Sequence, residues 1–178
     1  EMLLAMAKAG CISIDIGVES FDDKILADIR KDCKRTTIHS AIQKVLQAGI
    51  EPKLNILIGA SEFETEETIN STFNEIKKYN VDIVMFSICT PFPHTEFNRI
   101  AKERGWMIAE EYEGIAPMRE SFISYPALSA KKLESIVRKL YRKYYFRPSY
   151  ILKRLRQLTS VSEFIEKVKV ATKIFLTR

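Results

Sequence analysis

Cysteine, glycine, proline and long apolar runs are all scarce in this chain of 178 residues. Its three cysteines, Cys11, Cys33 and Cys89, are odd in number and far apart, which argues against a disulfide framework and for a reducing, cytoplasmic setting. They lack metal-ligand spacing, so each reads as a small core or surface residue. With only six Gly and six Pro, 46% hydrophobic and 29% charged residues, the composition disfavours disorder. No run of about 18 apolar residues exists, so no spanning helix is predicted. Neither GxGxxG nor GxxxxGK occurs, which removes the usual phosphate loops. The two histidines, His39 in a helical pattern and His94 in a turn, form no credible Ser-His-Asp or Cys-His arrangement and read as plain surface residues. The first residues, Glu1-Met2-Leu3-Leu4, carry neither a start methionine nor a signal pattern, and Leu3 to Ala9 reads as the end of a helix. The expectation is a piece of something longer.

What is present is organised. In Cys11 to Ser20, Ile12, Ile14 and Ile16 alternate with small or acidic residues, a period-2 pattern that predicts a strand running into Gly17 and Glu19-Ser20. Helices are predicted from Lys24 to Arg30 and from Thr37 to Ala48, the second closed by Gly49. Pro52 introduces Leu54 to Gly59, a nearly continuous apolar run of the kind expected of a strand buried on both faces. Thr65-Glu66-Glu67-Thr68 opens a helix, with acidic residues in its first turn but without a full capping box. A third strand is expected over Val81 to Ile88, then the turn Thr90-Pro91-Phe92-Pro93-His94-Thr95 and a helix from Glu96 to about Arg104. Strand starts about 40 and 28 residues apart suit βα units, and the order implies a parallel sheet with right-handed crossovers. From Trp106 to Pro126 an extended excursion with a short helix is expected. Beyond Ser129 three apolar stripes predict helices: Leu133 to Tyr141, Ile151 to Leu158, and Val161 to Ile174.

Charge divides the chain. Residues 126–178 hold fourteen lysines and arginines against three acidic residues, whereas residues 1–125 are net acidic, and the whole is +5. Two domains are expected, 1–125 and 126–178. The basic helices also carry Tyr141, Tyr144, Tyr145 and Phe146, so they read either as a cap packed on the α/β part or as a dock for RNA or an anionic membrane surface.

All parallel strands point one way, so the three strand ends gather on one face. There Glu19, Ser20, Asn55, Gly59, Ser87 and Thr90 suit a nucleoside-like ligand, with glycine permitting close backbone approach. The bland alternative is that Glu19 simply opens a helix and Pro91 and Pro93 stiffen a turn.

As an ordered set, these motifs resemble a known family. Gly17-Val18-Glu19-Ser20-Phe21 with Ile29-Arg30-Lys31 is similar to the fourth strand and helix of radical S-adenosylmethionine (SAM) enzymes. Ala48-Gly49-Ile50, Asn55 to Gly59 and Glu64 to Thr68 resemble the fifth strand and its G-x-P-G-E-T-E-E-T turn. Thr90 to Phe97 with Glu103-Arg104-Gly105 is similar to the sixth strand's T-P-Y-P-G-T-x-L … E-x-G. His94 stands at the usual glycine, and Ala60-Ser61-Glu62-Phe63 departs from the expected L-P-G. Tyr141 to Leu152 resembles the F-Y-x-R-P-x-Y-I-L segment of the cobalamin-binding subgroup; the tRNA-modifying methylthiotransferases are the rival subgroup, and nothing here suggests their appended β-barrel.

The resemblance implies half of a (βα)6 partial TIM-type barrel, three parallel βα units, followed by a helical tail. It implies that Glu19 contacts the cofactor's ribose or methionyl end, that Ser20 lines the same turn, and that Lys31 lies near the methionyl carboxylate. It also implies that Asn55 reaches a ribose hydroxyl, while Leu57, Gly59 and the backbone from Ile88 to Thr90 bracket the adenine. The family's chemistry uses SAM and a 4Fe–4S cluster on a C-x3-C-x2-C loop, with cobalamin in the subgroup. No such loop is in this sequence. The expectation is therefore an inactive fragment of an oxidoreductase or methyltransferase-like enzyme, whose partners are the preceding half of the same polypeptide, a small-molecule substrate, and a second copy through the open barrel edge. Its expected setting is cytoplasmic, or peripheral to a membrane through the basic tail. The alternative is a non-catalytic α/β module with a nucleic-acid-binding or membrane-binding tail.

Overall fold

In the computed structural model, the described residues are 1–109, 120–156, 165 and 169. Helix α1 (Met2–Lys8) leads through Gly10 into β1 (Ser13–Glu19), α2 (Asp23–Asp28) and α3 (Arg35–Gln47). β2 (Glu51–Ile58) and α4 (Glu66–Lys77) follow, then β3 (Ile83–Ile88) and α5 (Glu96–Glu103). The chain ends, among the described elements, with α6 (Ala130–Tyr145) and α7 (Pro148–Arg156). The strands form one parallel sheet in the order β1-β2-β3. Three βα units followed by helices make this a segment of a partial βα barrel with a helical tail.

Side chains alternate across β2. Leu54, Ile56 and Ile58 are buried, whereas Lys53, Asn55 and Leu57 are only half-buried. The expectation of a strand buried on both faces is thus corrected. The helices cover one face, where Leu54, Ile56, Val84 and Phe86 meet Ile38, Ile42, Phe73 and Ile76. The other, concave face carries Gly17, Asn55 and Met85 side by side in register. An apolar run cannot distinguish these cases, because Leu57 is apolar and lies on the more open face.

Helix starts follow side-chain chemistry. Asp22 accepts from the N–H groups of Lys24 (2.9 Å) and Ile25 (3.2 Å), and Thr95 from that of Asn98 (3.2 Å). At α4 a capping box is present after all: the Thr68 N–H donates to Thr65 Oγ1 (3.3 Å) while the Thr65 N–H donates to Thr68 Oγ1 (3.0 Å). Threonine fills the place usually held by Glu or Gln, which hid the box from the sequence pattern.

β3 begins at Ile83 rather than Val81, because the Val81 carbonyl turns to the Tyr144 hydroxyl (2.7 Å) instead of the ladder. Its outer edge meets α6. The Val84 N–H donates to Tyr145 Oη (3.0 Å), which donates in turn to the Val84 carbonyl (2.8 Å), and the Phe86 N–H donates to Tyr141 Oη (3.1 Å). Tyrosine hydroxyls thus stand where a fourth strand would bond. In the excursion after α5, Met107 bridges Ile123 antiparallel, with Ile108 N–H on the Phe122 carbonyl (2.9 Å) and Ser124 N–H on that of Trp106 (2.8 Å). No helix lies among the described residues of 106–126. Most of the third tail stripe falls outside the described residues.

His39 is not a plain surface residue. Half-buried, it links α3 to the residue just past α4 through a hydrogen bond between Nδ1 and the Tyr79 hydroxyl and stands 3.7 Å from Glu75 of α4. His94 is exposed but holds φ 66°, the left-handed region. A side chain there strains the backbone, which accounts for the preference for glycine at this turn in the pattern it resembles. His94→Gly is expected to leave stability equal or raise it by up to ~1 kcal/mol, since relief of strain outweighs the added freedom of the unfolded chain. Urea melts of the two proteins check this; a loss above about 1 kcal/mol refutes the strain argument.

Candidate functional site

β1 does not end smoothly. Its register with β2 shifts between Gly17 and Glu19, and Glu19 takes φ 61°. The Ser20 N–H folds back to the Val18 carbonyl at 2.8 Å, so Glu19 sits at the centre of a three-residue turn. Such a conformation is costly for a residue with a Cβ and persists only where its surroundings impose it. Its effect is to bring the Glu19 carboxylate back over the strand to Lys31, 3.2 Å from Oε1 to Nζ. Gly17 makes this possible: a Cβ there would lie 2.6 Å from Glu19 Oε1 and 3.3 Å from Lys31 Nζ.

This ion pair edges a cleft of about 640 Å³ across the carboxyl ends of the strands. Its apolar walls include Ile29, Leu57, Phe97, Ile100 and Trp106. Its rim is charged in pairs. Arg30 grips Glu96 through two bonds, 2.6 and 2.8 Å, tying the loop after α2 to the start of α5. Arg104 lies 3.3 Å from Glu62, and the Ser61 hydroxyl donates to Asp28 at 2.7 Å. A cleft with an apolar body and adjacent charges of both signs suits a ligand that is itself part apolar and part zwitterionic.

The floor is built around Gly59, at φ 73°. Its carbonyl accepts from the Tyr125 hydroxyl (3.0 Å), and its N–H donates to the Glu64 carboxylate. Tyr125 stands edge-on to Trp106, centroids 4.7 Å apart. Glu64 is only 3% exposed, and burial pushes its carboxyl up to about 7, although the N–H groups of Gly59 and Ala60 favour the charged form. Burial, aided by Glu64 and Glu19, also pushes the Cys89 thiol up to about 12, so this cleft-lining cysteine stays protonated and unreactive.

The residues expected from sequence are distributed unequally. Glu19, Lys31 and Leu57 line the cleft. Ser20 does not: it is buried against α4, with Oγ 3.3 Å from Thr72 Oγ1 and accepting from the Asp22 N–H (3.1 Å). Gly59 is itself held by packing: a Cβ there would meet Leu133 of α6 at 3.2 Å. Thr90 stands just beyond β3 with its hydroxyl toward the Ile88 carbonyl at 3.5 Å, while the neighbouring Cys89 lines the cleft. Asn55 lies on the concave face, outside the cleft lining, and its Oδ1 is buried with no hydrogen-bond partner among the described residues. Such an acceptor is expensive to leave unpaired, and it marks a place where a donor belongs. Sequence reasoning missed Asp28, which shares the strand-turn-helix unit of Glu19 and Lys31, and Glu62, Glu96, Arg104, Trp106 and Tyr125, which join that unit at the cleft through long-range packing. Among the described residues no group of three or more potential metal ligands is found.

With this geometry in hand, the chain is similar to proteins named as methyltransferases and cyclases. The chain is 26% identical over 155 residues to an uncharacterized methyltransferase of Pyrococcus horikoshii, covering 84% of this chain and 32% of that protein. It is 23% identical over 152 residues to the anaerobic magnesium-protoporphyrin IX monomethyl ester cyclase of Rubrivivax gelatinosus, covering 85% and 26%. Over 104 residues it is 26% identical to the bacteriochlorophyllide d C-12(1)-methyltransferase of Chlorobaculum tepidum, covering 58% and 23%. The chain therefore spans about a quarter to a third of the length of the curated relatives it matches. No protein-family model matches it.

Proposed function

We propose that this chain is the C-terminal part of a radical SAM enzyme of the methyltransferase or cyclase type, and that its strand-end cleft forms one wall of the SAM site. The observation that carries the reading is the left-handed Glu19, folded over Gly17 to meet Lys31 at the cleft edge. The residues present fit such a cofactor. Lys31 complements the methionyl carboxylate and Glu19 the ammonium or a ribose hydroxyl, Leu57 offers an apolar face to the adenine, and Asn55 Oδ1 supplies an acceptor that has no partner within the described residues. When bound, SAM together with a 4Fe–4S cluster supplies radical chemistry. The role of this chain is to hold and orient the cofactor, and the cluster ligands belong to the preceding part of the polypeptide. That part would pair with the open edge of β1, just before which Ile12 is exposed. Cobalamin use is supported only by the tail's resemblance to the cobalamin-binding subgroup.

Two measurements test this reading. A C-x3-C-x2-C loop is expected in the encoded protein about 90–110 residues before Cys11, three βα units of roughly 30 residues each. A start codon directly before Glu1 would sink the enzyme assignment. In the intact protein, Gly17→Ala is expected to weaken SAM binding about tenfold, because the new methyl displaces the Glu19 carboxylate from Lys31. The displaced atom is the end of a flexible side chain, so stability should change by no more than ~0.5 kcal/mol. Unchanged SAM affinity by calorimetry in both Gly17→Ala and Lys31→Met removes these residues from the site.

A further inference from the structure

Helix α7 is rolled the wrong way for a surface helix. Tyr150, Lys153 and Arg154, at helical spacing, face the protein and are half-buried. The Tyr150 hydroxyl donates to the Asp82 carbonyl (3.1 Å), Lys153 reaches Asp82 Oδ1 (2.6 Å) and the Asn80 carbonyl (2.9 Å), and Arg154 reaches Asp82 Oδ2 (2.8 Å). These polar anchors fix the roll, and they turn Ile151, Leu152 and Leu155 outward, 41%, 50% and 48% exposed. No residue of α7 is buried. An ordinary amphipathic surface helix does the reverse, hiding its aliphatic stripe and solvating its charges.

The apolar face lies in the most basic part of the chain. Exposed Lys143 precedes α7 and exposed Arg156 ends it, within a tail of fourteen basic and three acidic residues. A surface that is aliphatic at its centre and cationic around it matches one chemistry, an anionic lipid interface, which offers acyl chains to the leucines and negative headgroups to the lysines and arginines. RNA would answer the charge but leave three aliphatic side chains uncovered, with none of the aromatic platforms on α7's outer face that stack bases. Nor does α7 span a membrane: no helix among the described residues is long and apolar enough to do so.

We propose that α7 docks in the plane of an anionic bilayer, burying Ile151, Leu152 and Leu155 at the boundary of headgroups and acyl chains. Asp82 is the positioning residue that holds this face outward. The association is peripheral and reversible, and α7, anchored beside Asp82 at the amino end of β3, docks at the end of the sheet opposite the strand-end cleft. It stands independently of the SAM reading.

Flotation of the intact protein with vesicles tests the proposal. Binding is expected to phosphatidylcholine vesicles containing phosphatidylglycerol, not to phosphatidylcholine alone, and should weaken strongly at about 1 M salt, where screening acts within ~3 Å. The exposed pair Leu152→Asp/Leu155→Asp should bind at least about tenfold more weakly at unchanged melting temperature. Should that variant melt early, Leu152→Trp gives an independent reading: its emission should shift to the blue on vesicles and be quenched by brominated acyl chains, whereas native Trp106, 8% exposed, should not respond. Failure of the intact protein to float with anionic vesicles overturns the proposal. So does binding indifferent to the aspartate pair, an unshifted Leu152→Trp emission, or leucine-dependent binding to a single-stranded RNA homopolymer that outcompetes the vesicles.

Discussion

Glu64→Gln is expected to stabilise the protein at about pH 8 and to leave it nearly unchanged at about pH 4. The Glu64 carboxyl is buried beneath Gly59, and its pKa is raised from the ordinary 4.5 to about 7. Below the unfolded value both states hold the proton, and nothing distinguishes them. Between that value and the folded one, the folded protein keeps a proton that the unfolded chain has released, so stability falls as pH rises through this window. Above pH 7 the buried group is charged, and the accumulated loss is roughly 3 kcal/mol at about 1.4 kcal/mol per unit. Glutamine cannot ionise yet keeps a carbonyl oxygen for the Gly59 N–H. For a chain of this size the difference corresponds to about 6–12 °C in melting temperature at the alkaline end. Melts across the pH range check it. Parallel curves for the two proteins would mean that Glu64 is solvated and ordinary.

The double substitution Tyr141→Phe/Tyr145→Phe is expected to cost roughly 3–5 kcal/mol. Both rings keep their packing, including the 5.4 Å edge contact of Tyr141 with Phe86, so only hydroxyls are lost. Three backbone groups on the outer edge of β3 then lose their partners: the Val84 N–H, the Val84 carbonyl and the Phe86 N–H. Each buried group left unsatisfied costs about 1–3 kcal/mol, with partial access of water reducing the total. Burial also raises the pKa of the Tyr145 hydroxyl, so it remains a protonated donor throughout the accessible pH range. Hydrogen exchange of the Val84 and Phe86 amides should accelerate ahead of those facing β2. A loss below about 1 kcal/mol with unchanged exchange would show that water already serves this edge. The result bears on the tail as a whole, because it treats α6 as the closing edge of the sheet.

Much of the architecture was legible because it is local. Alternating isoleucines before Glu19, the stripe in α3, Gly49 past its end and the acidic opening of α4 follow from period and capping, which operate over a few residues. The same reading overstated the burial of β2, because an apolar sequence does not reveal which face a helix layer covers. It missed the capping box at Thr65 and Thr68, since threonine performs a task normally assigned to Glu or Gln. It treated His39 as surface, whereas the partner that engages it, Tyr79, lies forty residues away.

The site divides along the same line. Glu19 and Lys31 were legible because they belong to one strand-turn-helix unit, and the structure brings them to 3.2 Å. Ser20 was named from its place beside Glu19, yet the reversal of chain direction at a left-handed Glu19 sends the two side chains to opposite sides, one to the cleft and one to Thr72. Trp106, Tyr125, Arg104 and Glu62 carried no local signal, because each reaches the cleft through contacts between distant segments.

By itself, then, the amino-acid sequence determined three parallel βα units, a basic helical tail and an end of β1 that opens on the strand-end cleft. Tertiary structure alone decided that Gly59 makes room for Leu133, that Glu64 is buried enough to hold a proton near neutrality, and that Asp82 rolls the aliphatic face of α7 outward. The physical reason is range. Periodicity, capping and turn chemistry act between neighbours in the chain, whereas desolvation, ion pairing and steric fit depend on which remote groups the fold brings within a few ångströms.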